Sequence, residues 1–234
     1  MSIAEKMREI ASQVGPEHVY RTVYDEDLHV LVPGKEDINA EILDTFSRID
    51  FTGKSVVDLG CNFGFFTFYA ARLGARQVVG VDREEGVLQG CEVLKEYFNS
   101  PVSFEAHDIY DPACTLPERT FDIAMLVEFI GKTFIVENRI APTLGFLEKL
   151  SERELIVSVQ KIYWIRKELG TTPEALRGMY TDRYVQGGSF YLLDYVRDFF
   201  APRWRMEPIS ELNGEYEKPR KLLRFVRAQP ETPA

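Results

Sequence analysis

The stretch Val56-Val57-Asp58-Leu59-Gly60-Cys61-Asn62-Phe63-Gly64 decides the fold. Apolar residues surround a single aspartate, as in a buried strand, and a glycine follows directly at the carboxyl end of that strand. Aromatic and small residues at 65–72 then have the character of a buried helix. Because glycine has no side chain, the backbone of such a strand–turn–helix unit can approach a ligand closely. The stretch predicts a cradle for a nucleotide-like ligand.

A second strand, Val78-Val79-Gly80-Val81-Asp82, ends in a carboxylate 22 residues beyond Gly60. A carboxylate at this position can accept hydrogen bonds from both hydroxyls of a ribose. The glycine turn lacks the third glycine of the GxGxxG loop that binds a pyrophosphate, and it carries the bulky Phe63 instead. The pattern therefore disfavours a dinucleotide, although a nicotinamide-dependent oxidoreductase stays as an alternative.

Strands and helices alternate from residue 53 onward, which is the pattern of a parallel sheet with right-handed crossovers. We expect core strands at 55–59, 77–82, 102–105, 121–128 and 154–160. We expect helices at 65–72, 84–98, 136–150, 173–180 and 189–200. Two further strand-like segments, 204–212 and 222–228, predict a C-terminal antiparallel hairpin. The sequence thus predicts an α/β fold with a doubly wound, mostly parallel seven-stranded sheet.

The first 52 residues predict an N-terminal helical and irregular extension ahead of a second unit, residues 53–234, that holds the ligand. Ser2 and Glu5 have the spacing of a capping box, and an apolar helical face follows until Gly15. Residues 18–35 are typical of irregular or hairpin structure, and 36–49 have the spacing of another amphipathic helix.

Composition narrows the classes of function. The formal net charge of −9 argues against broad nucleic-acid binding, and no apolar run is long enough to span a membrane. The first residues do not have the form of a secretory signal, so we expect a cytoplasmic protein. The cysteines and histidines lie far apart and form no zinc-ligand pattern, so we expect no metal. Aromatic residues near the N-terminus and at 190–200 would supply the surface of a homodimer.

The motifs together resemble those of class I S-adenosylmethionine-dependent methyltransferases, over roughly residues 53–160. The resemblance rests on four runs, which are Asp58-Leu59-Gly60-Cys61-Asn62-Phe63-Gly64, Val79-Gly80-Val81-Asp82, His107-Asp108-Ile109 and Phe121-Asp122-Ile123. It implies a Rossmann-like fold, S-adenosylmethionine as cofactor and S-adenosylhomocysteine as product. The glycine loop also has some likeness to bacterial wobble-uridine carboxymethyltransferases.

The resemblance also implies roles for individual residues. The backbone from Gly60 to Gly64, with Cys61 and Asn62, would lie against the methionine and ribose parts of the cofactor. Asp58 would bind the methionyl amine, and Asp82 with the adjacent Arg83 would bind near the ribose. Asp108 would face the adenine amino group, with Ile109 packed on the ring. Asn62 stands where the family more often has glycine, and asparagine tolerates the left-handed backbone such a position needs.

Acceptor and catalytic residues are expected beyond the carboxyl ends of the later strands, where doubly wound sheets hold their ligands. If the acceptor is a hydroxyl, a base must take its proton, and Glu128 or His107 stands in position for that role. The candidates for contacts with the acceptor are Lys132, Lys161, Tyr163 and Tyr184. The segment 180–188 could serve as a lid, with Gly187 and Gly188 as its hinge.

These inferences predict a methyltransferase that acts on oxygen or nitrogen of a small-molecule or carbohydrate-type acceptor. Besides the oxidoreductase, two alternatives remain open from the residues alone. An RNA-modifying transferase with the same cofactor fold could use the basic residues between 203 and 227. A non-catalytic regulatory protein could keep the cofactor pocket without turnover.

Overall fold

The computed structural model describes residues 1–37, 40–111, 113–211 and 220–228. Its strands are β1 (Val23–Tyr24), β2 (Val30–Val32), β3 (Ser55–Leu59), β4 (Gln77–Asp82), β5 (Val102–Ala106), β6 (Phe121–Leu126), β7 (Ser151–Val159), β8 (Tyr163–Trp164), β9 (Val185–Gln186), β10 (Ser189–Phe190), β11 (Trp204–Pro208) and β12 (Lys221–Arg227). Its α-helices are α1 (Ile3–Val14), α2 (Ala40–Phe46), α3 (Phe65–Arg72), α4 (Glu85–Phe98), α5 (Lys132–Val136), α6 (Ile140–Lys149), α7 (Pro173–Arg177) and α8 (Leu192–Phe200).

A seven-stranded sheet with the order β11-β12-β7-β6-β3-β4-β5 forms the centre of the molecule. The pairs from β7 to β5 are parallel, whereas β12 pairs antiparallel with both β7 and β11. The predicted Rossmann-like α/β fold and its C-terminal antiparallel hairpin are therefore confirmed. The switch in strand order falls between β6 and β3, so a crevice for a ligand is expected above the carboxyl ends of these two strands.

The core lies in two apolar layers, one on each face of the sheet, because successive side chains of a strand point to opposite faces. Val57 of β3 packs with α6 and α8 residues in one layer, and its neighbour Val56 packs in the other layer with α3 and α4. Asp58 points to the same side as Val56, toward α3. This alternation brings a charged group under the helix that follows the glycine loop.

The N-terminal segment packs on the α3 and α4 side of the sheet. Its first helix has the predicted capping box, in which Ser2 Oγ accepts from the Glu5 amide and the Glu5 carboxylate accepts from the Ser2 amide. Met7 and Ala11 of α1 enter the same apolar layer as Phe63 and Phe66. The strands β1 and β2 pair antiparallel, as the hairpin interpretation of this segment expected. The division of the chain at residues 52 and 53 stays a prediction.

Three predicted elements need correction. The helix predicted from residue 136 to residue 150 begins at Ile140 as α6, because Asn138 takes a left-handed backbone with φ +55° and separates it from the preceding α5. The helix predicted from Ser189 begins at Leu192, since Ser189 belongs to β10 and pairs with β8 and β9. The strand predicted at 121–128 stops at Leu126, because Glu128 takes φ +57°.

The terminal strands have shifted bounds. The strand predicted at 204–212 ends at Pro208, and Leu212 lies outside the described residues. The strand predicted at 154–160 begins earlier, at Ser151. For helix 36–49, the described part is Ala40–Phe46, and Ile38 also lies outside the described residues.

The paired glycines at 187 and 188 form a hairpin turn. Both have positive φ, +55° and +79°, and they join β9 directly to β10. This is the backbone conformation that a two-residue hairpin turn needs, and glycine adopts it without strain. Tyr180 and Val185, at either end of the preceding loop, are buried in the core. The hinge interpretation of these glycines is replaced by a structural role in a small three-stranded sheet.

Within the described ranges, no helix has both the length and the apolar composition needed to cross a membrane.

A buried carboxylate on β7 connects this strand to β12 and to the residue that precedes β3. Glu154 of β7 accepts hydrogen bonds from Lys54 Nζ at 2.7 Å and from Arg224 Nε of β12 at 2.8 Å. Burial alone would raise the pKa of Glu154, but the hydrogen bonds from Arg224 and Lys54 outweigh it and lower the pKa below its ordinary value. The carboxylate therefore stabilises the fold above the pKa of the unfolded chain, and this contribution is lost as the pH falls through the lowered pKa.

We expect Glu154→Gln to lower the free energy of unfolding by about 2 kcal/mol at pH 7, since two charge-assisted hydrogen bonds are weakened. The difference from the wild type should be smaller at acid pH, after the carboxyl group has been protonated through its lowered pKa. Urea denaturation at both pH values measures this, with the exposed Glu152→Gln on the same strand as control. A loss that stays the same at low pH would contradict the assigned ionic role.

Candidate functional site

The glycine loop turns through a series of left-handed residues. Gly60, Asn62 and Gly64 have φ values of +69°, +48° and +78°. The amides of Gly60 and Cys61 both donate to the carbonyl of Val81 in β4, at 2.8 and 3.0 Å. These two bonds fasten the loop to the neighbouring strand. Asn62 takes the left-handed backbone expected of it.

The Asp82 carboxylate fixes the glycine loop by accepting hydrogen bonds from backbone amides. One carboxylate oxygen accepts from the Asn62 amide at 3.0 Å, and the other accepts from the Glu84 amide at 3.2 Å. Each carboxylate oxygen has two lone pairs, so this residue keeps acceptor capacity for a ligand. Arg83, next in the chain, is exposed and pairs with Glu84.

Asp58 is a buried acid beneath the loop. Its side chain is 2% exposed, and it accepts a 2.7 Å hydrogen bond from Thr67 Oγ1 of α3. Burial raises the pKa of Asp58 to about 7, although the bond from Thr67 acts in the opposite direction. The carboxyl group therefore changes charge near neutral pH.

Asn62 links the loop to the N-terminal segment. Its Nδ2 donates to the carbonyl of His18 at 2.7 Å, whereas its buried Oδ1 has no hydrogen-bond partner among the residues that the structure describes. The thiols of Cys61 and Cys91 both donate to the Asn62 carbonyl, and burial raises the pKa of Cys61. Polar groups that are buried without a partner are rare and costly.

The loop fits a ligand that brings its own hydrogen-bond donors. It offers an unpartnered acceptor at Asn62 and a carboxyl group at Asp58 that can ionise beside a cation. A side chain at Gly60 would overlap the ring of Phe129, so this position is closely approached by its neighbours. Within the described residues, no three His, Cys, Asp or Glu side chains form a group that could hold a metal ion.

Glu128 stands at the end of β6 in a strained left-handed conformation. Its amide donates to Ser158 Oγ of β7, and its carboxylate forms an ion pair with Arg21. Left-handed backbone is uncommon for a residue such as glutamate, and such strain concentrates at functional sites. The structure thus turns this carboxylate into the crevice beside the glycine loop.

Arg21 is a site residue that sequence reasoning missed. It is 7% exposed, donates from Nη1 to the Asp37 carbonyl at 3.3 Å, and lies over the rings of Phe65 and Phe66. Burial lowers the pKa of Arg21 from its ordinary value. Residues 18–35 have no periodicity that would assign a face to this arginine, so the sequence carried no signal for it.

A cavity of about 670 Å³ opens between the N-terminal segment and the glycine loop. Gly60, Glu128 and Arg21 line it together with residues of α3, of the end of α4 and of the segment 20–28. Asp82 and Asp108 do not line it. The cavity therefore adjoins the glycine loop but not the Asp82 carboxylate at the end of β4.

The other candidates near β5 lie apart from Glu128. His107 is 3.3 Å from the carboxylate of Glu105, on the edge strand of the sheet. Three strand spacings separate β5 from β6, a distance of roughly 14 Å, so His107 and Glu128 cannot both reach one acceptor atom. Asp108 is exposed and accepts from the Tyr110 amide, while Ile109 packs against the core.

The four residues proposed for acceptor contacts lie outside the lining of the cavity. Lys132 is exposed on α5, and Tyr163 is buried in β8. Tyr184 donates from its hydroxyl to Asp198 of α8 at 3.0 Å. Lys161 follows β7, and none of the four lines the cavity.

Solved structures with low sequence identity share this fold. WbdD, in a co-crystal structure with the kinase inhibitor LY294002, has a TM-score of 0.60 and 17% identity, over 94% of this chain and 47% of that one. Magnesium protoporphyrin IX methyltransferase (ChlM) from Synechocystis PCC 6803, solved with bound SAH, has a TM-score of 0.50 and 18% identity, over 83% of this chain and 90% of that one.

A curated relative matches a shorter part of the chain. Ribosomal protein L11 methyltransferase of Alteromonas mediterranea is 36% identical over 92 residues, which is 39% of this chain and 30% of the relative. The chain thus spans less than a third of the length of this relative.

The Methyltransferase domain family model matches residues 50–168, which is just over half of the chain. The matched span contains the glycine loop, Asp82 and Glu128 in the geometry described above, and the fold is that of a methyltransferase solved with S-adenosylhomocysteine. The chain therefore belongs to the Methyltransferase domain family.

Proposed function

We propose that the enzyme transfers a methyl group to oxygen or nitrogen of a small-molecule or carbohydrate-type acceptor bound in the 670 Å³ cavity. The cavity carries this proposal, because its volume lies within the range of small-molecule sites, about 300–1,000 Å³. It adjoins both Gly60 of the cofactor loop and the carboxylate of Glu128. An acceptor there would lie between the methyl donor and a potential base.

We assign the cofactor to the glycine loop. The backbone from Gly60 to Gly64 would hold its methionine and ribose parts, with Asn62 Oδ1 and Asp58 as acceptors for the methionyl amine. Asp82 would bind the ribose hydroxyls, and Asp108 with Ile109 would contact the adenine. When bound, the cofactor supplies a methyl group on a sulfonium sulfur.

Glu128 would act as the base in this proposal. Methyl transfer is an in-line displacement, so aligning the acceptor in a water-poor pocket supplies much of the rate enhancement. A hydroxyl acceptor must also lose its proton, and the Glu128 carboxylate would take it. Arg21 would fix the direction of this carboxylate as a positioning residue. Its planar guanidinium is suited to holding a carboxylate in one orientation.

The RNA-modifying alternative has less support. The basic residues near the C-terminus that would meet phosphate are largely committed to carboxylates of the protein. Arg203 pairs with Glu148, Arg224 pairs with Glu154 and Glu207, and Lys221 pairs with Glu41. Cations engaged in this way contribute little to binding of a phosphate backbone.

We expect Asp82→Asn to weaken binding of S-adenosylhomocysteine at least tenfold, because hydrogen bonds to a charged acceptor are lost. Isothermal titration calorimetry measures the affinity, and Glu85→Gln, an exposed neighbour at the start of α4, is the control. Unchanged affinity in a folded Asp82→Asn protein would remove the ribose assignment.

The pKa of Asp58 predicts a pH dependence of cofactor binding. Below about pH 7 the buried carboxyl group is protonated, and only its ionised form attracts the methionyl ammonium. Affinity for S-adenosylhomocysteine should therefore rise roughly tenfold from pH 5.5 to pH 7.5. Asp58→Asn should bind more weakly and lose this dependence.

Thr67→Val provides a matched test of the same assignment. It removes the bond that holds the pKa of Asp58 down, so the rise in affinity should move to higher pH. An identical pH profile in the wild type and in Asp58→Asn would contradict the role given to Asp58.

We expect Glu128→Gln to reduce methyl transfer 10²- to 10⁴-fold for a hydroxyl acceptor while S-adenosylhomocysteine binding changes less than twofold. The readout is incorporation of a tritiated methyl group into the small-molecule fraction of a cell extract. Glu137→Gln, which changes an exposed glutamate paired with Arg139, is the control. Full activity of Glu128→Gln would exclude a base at this position.

Removing Glu128 leaves Arg21 buried without its partner, which can destabilise the fold. The double variant Arg21→Gln with Glu128→Gln removes both charges and serves if the single variant does not fold. If Arg21 acts only through Glu128, Arg21→Gln should lower activity and Arg21→Lys should restore part of it. The double variant should then be no less active than Glu128→Gln alone.

A further inference from the structure

The cavity extends well beyond the end that holds Glu128. It follows α3 away from the glycine loop, along Phe65, Tyr69 and Arg72, which are spaced to share one face of the helix. It reaches Phe98 at the end of α4. The three α3 residues span most of the helix, which is about 12 Å long, and the part of the cavity that α3 lines is here termed the channel.

Aromatic side chains cluster on the α3 side of the channel wall. Those from α3, α4 and β1 are Phe65, Phe66, Phe68, Tyr69, Phe98 and Tyr24. Arg21, the one buried cation of this wall among the described residues, forms an ion pair with Glu128. A polar group bound against the faces of these rings would lose hydrogen bonds to water, because the polar lining residues Thr22, Asp25, Glu26, Asn62, Asn99 and Ser100 belong to other segments of the wall. The wall therefore suits an uncharged, apolar ligand body.

A strained apolar residue stands at the mouth of this channel. Leu28, in the turn between β1 and β2, lines the cavity although it is 63% exposed, and its φ is +63°. Left-handed backbone is unfavourable for leucine. The Asp25 carboxylate maintains the turn by accepting from the amides of Asp27 and His29, at 2.9 and 2.8 Å. The turn thus holds a large apolar side chain at a water-exposed opening, where it would gain free energy by covering a ligand.

We propose that the acceptor is a small amphiphile whose nucleophilic oxygen or nitrogen lies at Glu128 and whose apolar body fills the aromatic channel beneath Leu28. The proposal rests on the assignment of the cavity to the acceptor, and it adds the chemical class of that acceptor. A carbohydrate-type head group is compatible with it only when an uncharged hydrocarbon or aromatic portion is attached.

The test uses methyl, hexyl and octyl β-glucosides as monomers in solution, with binding measured by calorimetry in the presence of S-adenosylhomocysteine. Each methylene that enters an apolar site contributes about 0.8 kcal/mol, so affinity should rise about tenfold from the hexyl to the octyl compound. Leu28→Asp should lower octyl glucoside affinity at least fivefold. Aspartate tolerates left-handed backbone better than leucine, so this variant keeps the turn.

Val30→Asp is the matched control, because Val30 lies on the same hairpin, is 50% exposed and does not line the cavity. It should leave octyl glucoside binding unchanged. Equal affinity for the three glucosides, or equal loss in the Leu28 and Val30 variants, would overturn the proposal.

A second measurement identifies the natural product class. Extract is incubated with the enzyme and tritiated S-adenosylmethionine, and labelled product is partitioned between butanol and water. Label in butanol is expected, and label confined to water would overturn the amphiphile proposal while leaving methyl transfer intact. Absence of both S-adenosylhomocysteine binding and labelled product would instead refute the proposed function itself.

Discussion

The carbonyl oxygen of Val81 is the fixed point of the site, because two consecutive amides of the glycine loop donate to it. These two bonds turn the chain toward β4 where β3 ends. Three left-handed residues then complete the turn into α3. Since α3 starts where that turn ends, its Thr67 comes to lie over Asp58. One acceptor on β4 therefore sets the position of the loop, the helix and the buried acid together.

The Arg21–Glu128 pair makes the N-terminal segment part of the site. A buried ion pair is seldom a large net source of stability, because both ions lose their hydration. Its value lies in orientation, since each partner would be costly to bury alone. Segment 18–37 is also attached to the glycine loop by the bond from Asn62 to His18. One part of the cavity wall is thus built from a segment that precedes the first strand of the central sheet.

The sequence predicted most accurately the strands and helices whose apolar pattern matches their position in the folded core. The strand at 55–59, the strand at 77–82 and the helix at 65–72 were predicted to the residue, since apolar runs and glycines mark their ends. The pattern was least informative where a single backbone angle decides the outcome. Asn138 and Glu128 adopt left-handed conformations that no glycine signals, and they end a helix and a strand that periodicity would have continued.

The residues of the candidate site also fall into a group that the sequence could locate and a group that it could not. The loop, Asp58 and Asp82 could be located from spacing, because they are adjacent to strands with a strong pattern. Arg21 and the aromatic channel could not, since they depend on how a segment without periodicity folds back over α3. A contact between residues that are distant in sequence leaves no trace in a single chain unless each partner belongs to a periodic element.

The strand order has a consequence for synthesis of the chain on the ribosome. β12 lies between β7 and β11, although both of those strands precede it in sequence. The sheet therefore has a gap in its interior until β12 leaves the exit tunnel, and β7 exposes an unpaired edge during that interval. Lys221, at the start of β12, also bonds to Glu41 of α2, 180 residues earlier. The nascent chain consequently completes this part of its core only after β12 is translated, and the open edge of β7 can misassociate until then.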